Sequence, residues 1–435
     1  MNYVDYYKEK IKSKKIKVGI VGLGYVGLPL MLSFAEKGFD VKGFDVDNSK
    51  IDSINIGETY IKHIDKSRIL SAKENKKISA TTDFSEISHM DVIILCVPTP
   101  LNKYREPDMS YITNTVESIL PHLKKGQIIS LESTTYPGTC DEIIKPELEN
   151  KGFIVGDNIF LCYSPEREDP GNVNYNTSTI PKVIGGTTPV CLEIGKMIYS
   201  EVIVKVVPVS STKAAELTKL LENIYRCINI GLINEMKIVA DKMNIDIWEV
   251  IDAASSKPFG FTPFYPGPGL GGHCIPIDPF YLTWKAKEYE INTKFIELAG
   301  EINTNMPFWV VSKIAEALNN HKKPINGSKI LILGITYKKN IDDMRESPSV
   351  KLIELLKKQG AYVDYSDPYV PTFPKMRAYN FDLKSVDYNN ANEYDCVVVA
   401  SDHDYFDYEF IQKHSKLIVD TRGRYKVKKD NVIGA

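Results

Sequence analysis

Paired cysteines, arginine and long apolar runs are what this 435-residue chain has little of. Its seven cysteines, Cys96, Cys140, Cys162, Cys191, Cys227, Cys274 and Cys396, stand singly, with no C-x-x-C and no Cys/His spacing suited to a metal. That argues against structural zinc and for a reducing compartment. The longest apolar runs, such as 92–97, have the length of a buried strand and fall far short of the ~20 residues of a membrane helix. Neither sign of charge prevails: 54 Lys and Arg face 56 Asp and Glu, a formal net charge of −2, so the basic footprint of a nucleic-acid binder is missing. Only eight residues are arginine, so an arginine here points to a place that needs a planar, five-donor fork. Low-complexity segments and short repeats are also absent. Residues 1–17, rich in Lys, Tyr, Asp and Glu, lack the apolar stretch and cleavage site of a secretory signal, and the expected location is cytoplasmic.

What is present is enough apolar sequence for substantial cores, 43% of the chain, and length for about three domains at roughly 150 residues each. Residues 16–21 form a β-branched run followed by a glycine-rich turn and an apolar-periodic stretch, 26–37, that ends at Gly38; this reads as strand, turn and helix with a glycine C-cap. Further strands are expected at 39–45, 91–97 and 127–131, and a last strand pair, 159–163 and 202–208, completes a domain of residues 1–209. Alternating β and α elements imply a parallel, doubly wound α/β sheet of Rossmann type. From 214 to 243 there is no proline and only Gly231 as a breaker, so a long helix is expected there, with further helices at 245–254 and 293–318. These make a helical central domain, 210–327, interrupted by the glycine- and proline-rich stretch 257–279. The last region, 328–435, mirrors the first: 329–333 with Gly334 matches 17–21 with Gly22, 361–367 matches 39–45, 395–400 matches 91–97, and 416–420 matches 127–131. Two Rossmann-like domains joined by a helical connector would bind ligands at their strand C-terminal ends, in the cleft between them.

Gly22-Leu23-Gly24-Tyr25-Val26-Gly27 is a G-x-G-x-x-G that follows a strand and opens a helix, the context a dinucleotide fingerprint needs. Gly22 permits the tight turn, Gly24 lets a pyrophosphate reach the backbone, and Gly27 allows close packing of helix on strand. Asp45, eighteen residues after Gly27, ends the second strand, where a carboxylate accepts from ribose hydroxyls and disfavours a 2′-phosphate; NAD is therefore expected over NADP. Lys50 either lies along the adenosine or is a solvated surface lysine. Pro98, Thr99 and Pro100 follow one strand and Ser133 and Thr134 another, where they either contact the cofactor or only make the turn.

The stretch Pro266-Gly-Pro-Gly-Leu-Gly-Gly-His-Cys-Ile-Pro-Ile-Asp278 can be neither helix nor central strand up to its cysteine, so Cys274 is expected on an irregular loop that tolerates close approach of a substrate. Asp278 is placed to order a water or take a proton, while His273 reads more readily as a structural imidazole. A dinucleotide site beside an exposed thiol suggests two successive oxidations: a thiolate adds to an aldehyde, the thiohemiacetal is oxidised to a thioester, and water releases an acid. Such chemistry needs a cation at the oxyanion and carboxylates for the protons. Lys219 and Asn223, four apart on the long helix, share a face and either donate to that oxygen or form a polar outer stripe. Glu166 stands closest to a strand end in Ser164-Pro-Glu-Arg167-Glu168-Asp169-Pro-Gly-Asn172 and is the better acid/base candidate; Asp169 serves to turn the chain. In the last domain Lys338, Lys339, Arg345 and Arg422 sit after strands, where they suit a diphosphate. The rings of Phe259, Phe261, Phe264 and Tyr265 either stack on a base or sugar or belong to a core.

Taken together these segments resemble the UDP-glucose/GDP-mannose dehydrogenase family over residues 16–425: G-L-G-Y-V-G-L-P-L, V-P-T-P, E-S-T-T-Y-P-G-T, S-P-E-R-E-D-P-G-N, K-L-L-E-N, G-P-G-L-G-G-H-C-I-P-I-D-P and Y-K-K-N-I-D-D-M-R-E-S occur in order. The resemblance implies a nucleotide-sugar 6-dehydrogenase that oxidises an alcohol to a carboxylate with two NAD, in a homodimer or higher homo-oligomer formed through the central helices. It implies Cys274 as nucleophile, with Lys219, Asn223, Asp278 and Glu166 catalytic. Cofactor contacts fall to Gly22, Gly24, Tyr25, Val26, Gly27, Asp45, Lys50, Pro98, Thr99, Ser133, Thr134 and Arg345. Substrate contacts fall to Glu166, Arg167, Lys219, Asn223, Phe264, Tyr265, Gly271, Lys339 and Arg422. Arg167 stands where UDP-glucose enzymes usually carry phenylalanine, and the forms of this motif and of the cysteine loop are similar to the UDP-N-acetylglucosamine branch, whose product would serve surface polysaccharide synthesis. The extra residue in S-T-T-Y-P leaves the contact among Ser133, Thr134 and Thr135 open. The alternatives are UDP-glucose or another UDP-N-acetylhexosamine as substrate, a two-electron hydroxyacid dehydrogenase, and a non-catalytic NAD sensor.

Overall fold

The computed structural model describes residues 2–61, 64–167, 178–272, 274–376, 379–427 and 429–435. Contacts divide the chain into two compact units, Met1–Glu222 with Phe280–Ile291, and Asn223–Pro279 with Asn292–Ala435. The division falls inside the long helix, which runs over Thr212–Lys242 as the periodicity predicts.

The first unit holds an eight-stranded sheet: β1 Lys17–Val21, β2 Asp40–Phe44, β3 Ile78–Thr81, β4 Val92–Leu95, β5 Ile128–Leu131, β6 Phe160–Tyr163, β7 Lys182–Gly186 and β8 Val206–Val209, in the order β3-β2-β1-β4-β5-β6-β7-β8. All neighbours are parallel except β6 and β7. The order reverses between β1 and β4, which makes their C-terminal ends the switch point where ligands of such sheets bind. Strands β1, β4 and β5 are buried nearly throughout, as expected where helices cover both faces.

Three features depart from the sequence reading. The expected pair 159–163 and 202–208 corresponds to β6 and β8, which are not neighbours, because β7 lies between them. Both glycines at its end are needed there: a Cβ on Gly185 would lie 2.1 Å from the Ser211 carbonyl oxygen, and one on Gly186 2.3 Å from the Leu192 nitrogen. Strand β3, with the sequence I-S-A-T, is too short to stand out. The charged leader is also ordered: Tyr3–Lys12 is a helix capped by the Asn2 side chain, and buried Tyr7 places its hydroxyl 2.8 Å from the Asp91 carbonyl and 2.9 Å from that of Gly126.

The second unit carries a five-stranded parallel sheet, β9 Lys329–Leu333, β10 Tyr362–Ser366, β11 Cys396–Val399, β12 Ile418–Asp420 and β13 Val432–Gly434, ordered β10-β9-β11-β12-β13. The mirrored sequence has a mirrored geometry. Gly22 after β1 and Gly334 after β9 both have positive φ, 92° and 76°, and a Cβ on either would strike a carbonyl beyond the neighbouring strand, Cys96 O at 2.6 Å or Ser401 O at 2.4 Å. The amides of Lys17 and Lys329 donate to Asp91 and Asp395 at 2.9 and 3.0 Å. The helices Ile247–Ser255, Lys294–Asn320, Pro348–Lys358 and Tyr408–His414 belong to this unit, and a helix beginning at Asp278 and ending at Ala286 replaces the loop expected around Asp278.

Candidate active site

The G-x-G-x-x-G turn lies at the switch point of the first sheet, and each glycine has its own steric reason. A Cβ on Gly27 would lie 1.9 Å from the Gly22 carbonyl oxygen, whereas one on Gly24 would meet nothing within 4 Å. Gly24 thus leaves open space over the backbone at the start of the helix Gly27–Glu36, where the first amides point at a phosphate. Tyr25 and Val26, half-buried, complete the turn. Asp45 is buried at the end of β2 and accepts from the Leu23 amide at 2.8 Å, the Asp47 amide at 3.0 Å and Lys50 Nζ at 3.0 Å. Lys50 is therefore the partner of Asp45. Of the residues after β4 and β5, Pro98 is exposed, Thr99 and Thr134 are buried, Ser133 donates to the Val97 carbonyl at 2.6 Å, and Thr135 Oγ1 is buried with no hydrogen-bond partner among the described residues. The open space at Gly24 and the carboxylate at Asp45 fit a dinucleotide with free ribose hydroxyls.

Behind the ends of β5 and β6 lies a charge cluster that the sequence reading missed. Lys182, the first residue of β7, places Nζ 2.6 Å from Glu132 Oε2, 3.2 Å from Glu166 Oε2 and 3.2 Å from the Pro165 carbonyl, and all three side chains are buried. Tyr199 donates to Glu132 and sits 2.9 Å from Ser130 Oγ. Glu166 Oε1 accepts from the Arg167 amide at 2.8 Å. Burial pushes the Glu166 carboxyl up, but Lys182, the Arg167 amide and Lys219 together hold it below the ordinary carboxylate value. Glu132, deeper in the protein, is pushed up by burial, which outweighs Lys182. A lysine opening a V-I-G-G strand gives no sign that it will be buried between two carboxylates.

Arg167 is the planar fork expected of a scarce arginine, turned on Glu222: it donates Nε at 3.1 Å and also Nη2, with Nη1 to the Pro181 carbonyl at 2.8 Å. Lys219 is only 7% exposed and has no hydrogen-bond or ion-pair partner among the described residues. Glu168, Asp169 and His273 lie outside the described residues.

In the second unit, Cys274 is partly exposed, while the other six cysteines are buried. Its carbonyl accepts from the Ile277 and Asp278 amides at 3.0 and 2.8 Å, folding the chain so that Asp278 comes back one turn later. Asp278 is buried and accepts from Asn223 Nδ2 at 2.5 Å; Asn223 Oδ1 in turn accepts from Arg226 at 2.7 Å. The glycines of the loop allow its close approach to the second sheet: a Cβ on Gly271 would lie 2.4 Å from Tyr337 Cβ, one on Gly267 2.6 Å from Arg422 Nη1, and the Gly272 amide donates to the Arg345 carbonyl at 3.0 Å. Arg422 spends Nε on the Ala400 carbonyl at 2.7 Å. Lys339 is exposed and faces Asp404 at 3.2 Å, and Arg345 forms a fork on Asp343. Phe264 is half-buried against Tyr225, whereas Phe259, Phe261 and Tyr265 are exposed, with Tyr265 donating to Asp252 at 3.0 Å.

Family models place these parts in a known frame. The NAD-binding domain of the UDP-glucose/GDP-mannose dehydrogenase family matches residues 16–203, its central domain 213–305 and its UDP-binding domain 331–427. The chain belongs to that family. NAD is accordingly the cofactor of this dehydrogenase, and its substrates are nucleotide sugars. Similar relatives include the UDP-N-acetyl-D-glucosamine 6-dehydrogenase of Pseudomonas aeruginosa, 36% identical over 77% of this chain and 79% of that protein. The UDP-N-acetyl-D-mannosamine dehydrogenase of Methanocaldococcus jannaschii is 37% identical over 76% and 75%. The solved structure of the UDP-N-acetyl-mannosamine dehydrogenase from Staphylococcus aureus superposes with a TM-score of 0.82 at 33% identity, covering 96% of this chain and 97% of that one. Among the described residues of this dehydrogenase no helix is long and apolar enough to cross a membrane, and no group of His, Cys, Asp and Glu could hold a metal ion.

Proposed function

We propose that this dehydrogenase oxidises the C6 hydroxyl of UDP-N-acetylglucosamine to a carboxylate in two two-electron steps, through a thiohemiacetal and a thioester on Cys274, in the cytoplasm and for surface polysaccharide synthesis. The observation that carries the reading is the thiol itself: Cys274, on the glycine-proline loop, is partly exposed while the other six cysteines are buried. NAD, when bound, is the two-electron acceptor for each oxidation.

The chain's own residues handle the rest. Alcohol oxidation leaves an aldehyde; the Cys274 thiolate adds to its carbon; loss of a second hydride gives the thioester; and water displaces the thiolate, so that one sugar and one water yield one acid and two NADH. Lys219, buried and unpaired among the described residues, offsets charge on the reacting oxygen, with Asn223 one turn away on the same helix. Asp278 and Glu166 are the carboxylates for proton transfer and for orienting water. Lys339, Arg345 and Arg422 answer to the phosphates, and the rings of Phe264 and Tyr265 to the base or sugar. The S-P-E-R-x-D-P-G-N and P-F-Y-P-G-P-G-L-G-G-H-C forms support the N-acetylglucosamine choice, as does the Pseudomonas relative. A second reading, UDP-N-acetylmannosamine, is favoured by the methanogen and staphylococcal relatives.

The deciding experiment follows NADH formation on UDP-N-acetylglucosamine, UDP-N-acetylgalactosamine, UDP-N-acetylmannosamine and UDP-glucose. Two NADH per sugar, with acid formation abolished in Cys274→Ala, is the expected result. One NADH per sugar would favour a two-electron enzyme, and binding of NAD without turnover a sensor.

A further inference from the structure

Four ionisable side chains are buried together in the first unit: Glu132, Glu166, Lys182 and Lys219. Three of them touch. Lys182 Nζ is shared between Glu132 Oε2 at 2.6 Å and Glu166 Oε2 at 3.2 Å, with the Pro165 carbonyl as its third acceptor at 3.2 Å. Every ammonium hydrogen thus has a partner, and the lysine has no freedom to point elsewhere. The fold goes out of its way to bring it there. The chain reverses between β6 and β7, the one antiparallel pairing in the sheet, with Cys162 opposite Gly186 and Tyr163 opposite Gly185, and this reversal returns the start of β7 to the segment that follows β6. Each of the two glycines that let β7 pack so closely would collide with backbone if it carried a Cβ.

Such an arrangement is poor value as a stabilising device, because burying three charges costs several kcal/mol per ion before their attraction is counted. Its effect falls on Glu166. We propose that Lys182 is a positioning residue that holds the Glu166 carboxylate ionised and in a single orientation, and that Glu132, by competing for the same ammonium, sets how strongly Lys182 acts. The inference rests on the reading of Glu166 as a catalytic carboxylate. Both Glu166 oxygens are occupied by donors, Oε1 by the Arg167 amide and Oε2 by Lys182, which fixes the plane of the carboxylate.

The surrounding charges agree with this division of labour. Glu166 feels Lys182, the Arg167 amide and Lys219, while the Arg167 guanidinium is committed to Glu222. Glu132 feels Lys182 but also the like charge of Glu166, and its other oxygen meets the Tyr199 hydroxyl. Cys96, fully buried beside them, has its thiol pushed up by burial and by Glu132 and stays neutral. Although Lys182 stands closer to Glu132, it is Glu132 whose carboxyl is pushed up and Glu166 whose carboxyl is held down, because Glu132 is the more deeply buried and Glu166 has two further favourable partners.

The test compares the pH dependence of kcat for acid formation in the wild-type holoenzyme and in Lys182→Met, Lys182→Arg and Glu132→Gln. Removing the cation in Lys182→Met should move the acid limb to higher pH by about one unit or more, since a unit corresponds to ~1.4 kcal/mol of lost interaction. Lys182→Arg, which keeps the charge, should restore the limb at least in part. Glu132→Gln, which frees Lys182 for Glu166 alone, should move the limb to lower pH. Uniform loss of rate in Lys182→Met and Glu132→Gln with unshifted limbs would mean a merely structural role and overturn the proposal. Should Lys182→Met fail to bind NAD or to melt cooperatively, Lys182→Arg and Glu132→Gln still decide it: a Glu132→Gln limb that stays in place or shifts to higher pH overturns the proposal, and one that falls while Lys182→Arg retains the wild-type limb supports it. Glu166→Gln separates the two levels. If that variant forms acid at the wild-type rate, the assignment of Glu166 itself falls; if it is impaired while the other profiles coincide with wild type, only the positioning proposal does.

Discussion

Asp45 and Asp367 hold the same place in the two sheets: each ends the second strand of its sheet and accepts the amide that follows the first glycine after the central strand, from Leu23 and from Ile335, both at 2.8 Å. Each also accepts an amide two residues on, from Asp47 and Tyr369. They differ in what covers them. Asp367 is met by His403 Nε2 at 3.1 Å, and Thr336 stands where the first sheet has Gly24, so the second sheet fills with its own side chains the space that the first leaves open. The open backbone that a dinucleotide's phosphates need is thus present at Gly24 in the first sheet.

Asp45→Ala should therefore weaken NAD through lost ribose hydrogen bonds, raising KM for NAD by about 10-fold or more, since a lost hydrogen bond to a charged group costs roughly 1.5–3 kcal/mol. The penalty against NADP should shrink in the same variant, because the carboxylate that repels a 2′-phosphate is gone. The ratio of kcat/KM for the two cofactors measures this; an unchanged ratio would show that Asp45 serves only the Leu23 turn.

Asn223 and Asp278 make a second prediction. Asn223 donates to Asp278, and Asp278, expected on a loop, opens a helix. Asp278→Asn keeps the volume and the helix start but removes the negative charge. If Asp278 moves protons, kcat should fall about 10²–10⁴-fold with KM for NAD little changed. Single-turnover measurement of NADH would show whether the first or the second oxidation is arrested.

What could be read in advance, and what could not, follows from the range of the interactions. Strands β1, β4, β9 and β11 are β-branched runs next to glycine turns, and local pattern suffices to find them. Lys182 and Glu132 are fifty positions apart and meet only after β7 has turned antiparallel, so nothing local marks them. Strand β7 itself is illegible for the same reason: the need for its two glycines comes from Ser211 and Leu192, which only the fold brings near. Lys339 and Arg345 were legible as cations after a strand, but their present partners, Asp404 and Asp343, were not both so: Asp343 is two residues from its arginine, Asp404 sixty-five from its lysine.

A third prediction concerns assembly. Along the part of the long helix in the second unit, Tyr225, Leu232, Met236, Val239 and Met243 are exposed, and Phe295 and Leu298 on the helix Lys294–Asn320 are exposed as well. Spacings of three, four and seven place much of this apolar surface on one helical stripe, more than scattered surface residues would supply. We expect a homodimer or a higher homo-oligomer that covers it. Met236→Glu should lower the mass measured by light scattering, and a monomeric wild-type mass would contradict the expectation.

The last prediction turns on Lys237, one turn beyond Asn234 on the same helix. Its ammonium is buried between the rings of Trp248 and Trp309, 5.3 and 5.0 Å from their centroids, with the Thr421 carbonyl at 3.5 Å as its one hydrogen-bond acceptor among the described residues. Burial, and then the neighbouring Arg422, lower its pKa to about 7, against the opposing pull of Asp420 and Asp241. An unfolded lysine titrates near 10.4, so between roughly pH 7 and 10 the unfolded chain holds a proton that the folded one does not, and stability rises with pH across that window; below it the full cost of the buried charge remains. Lys237→Met keeps the length of the side chain and removes the charge. It should raise Tm, by roughly 2–4 °C for each kcal/mol recovered, and the gain over wild type should be larger near neutrality than at about pH 9. Equal gains at both pH values would mean that the effect comes from packing against the two indoles and not from the proton, and a loss at both would mean that the cation–π contacts outweigh the cost of burial.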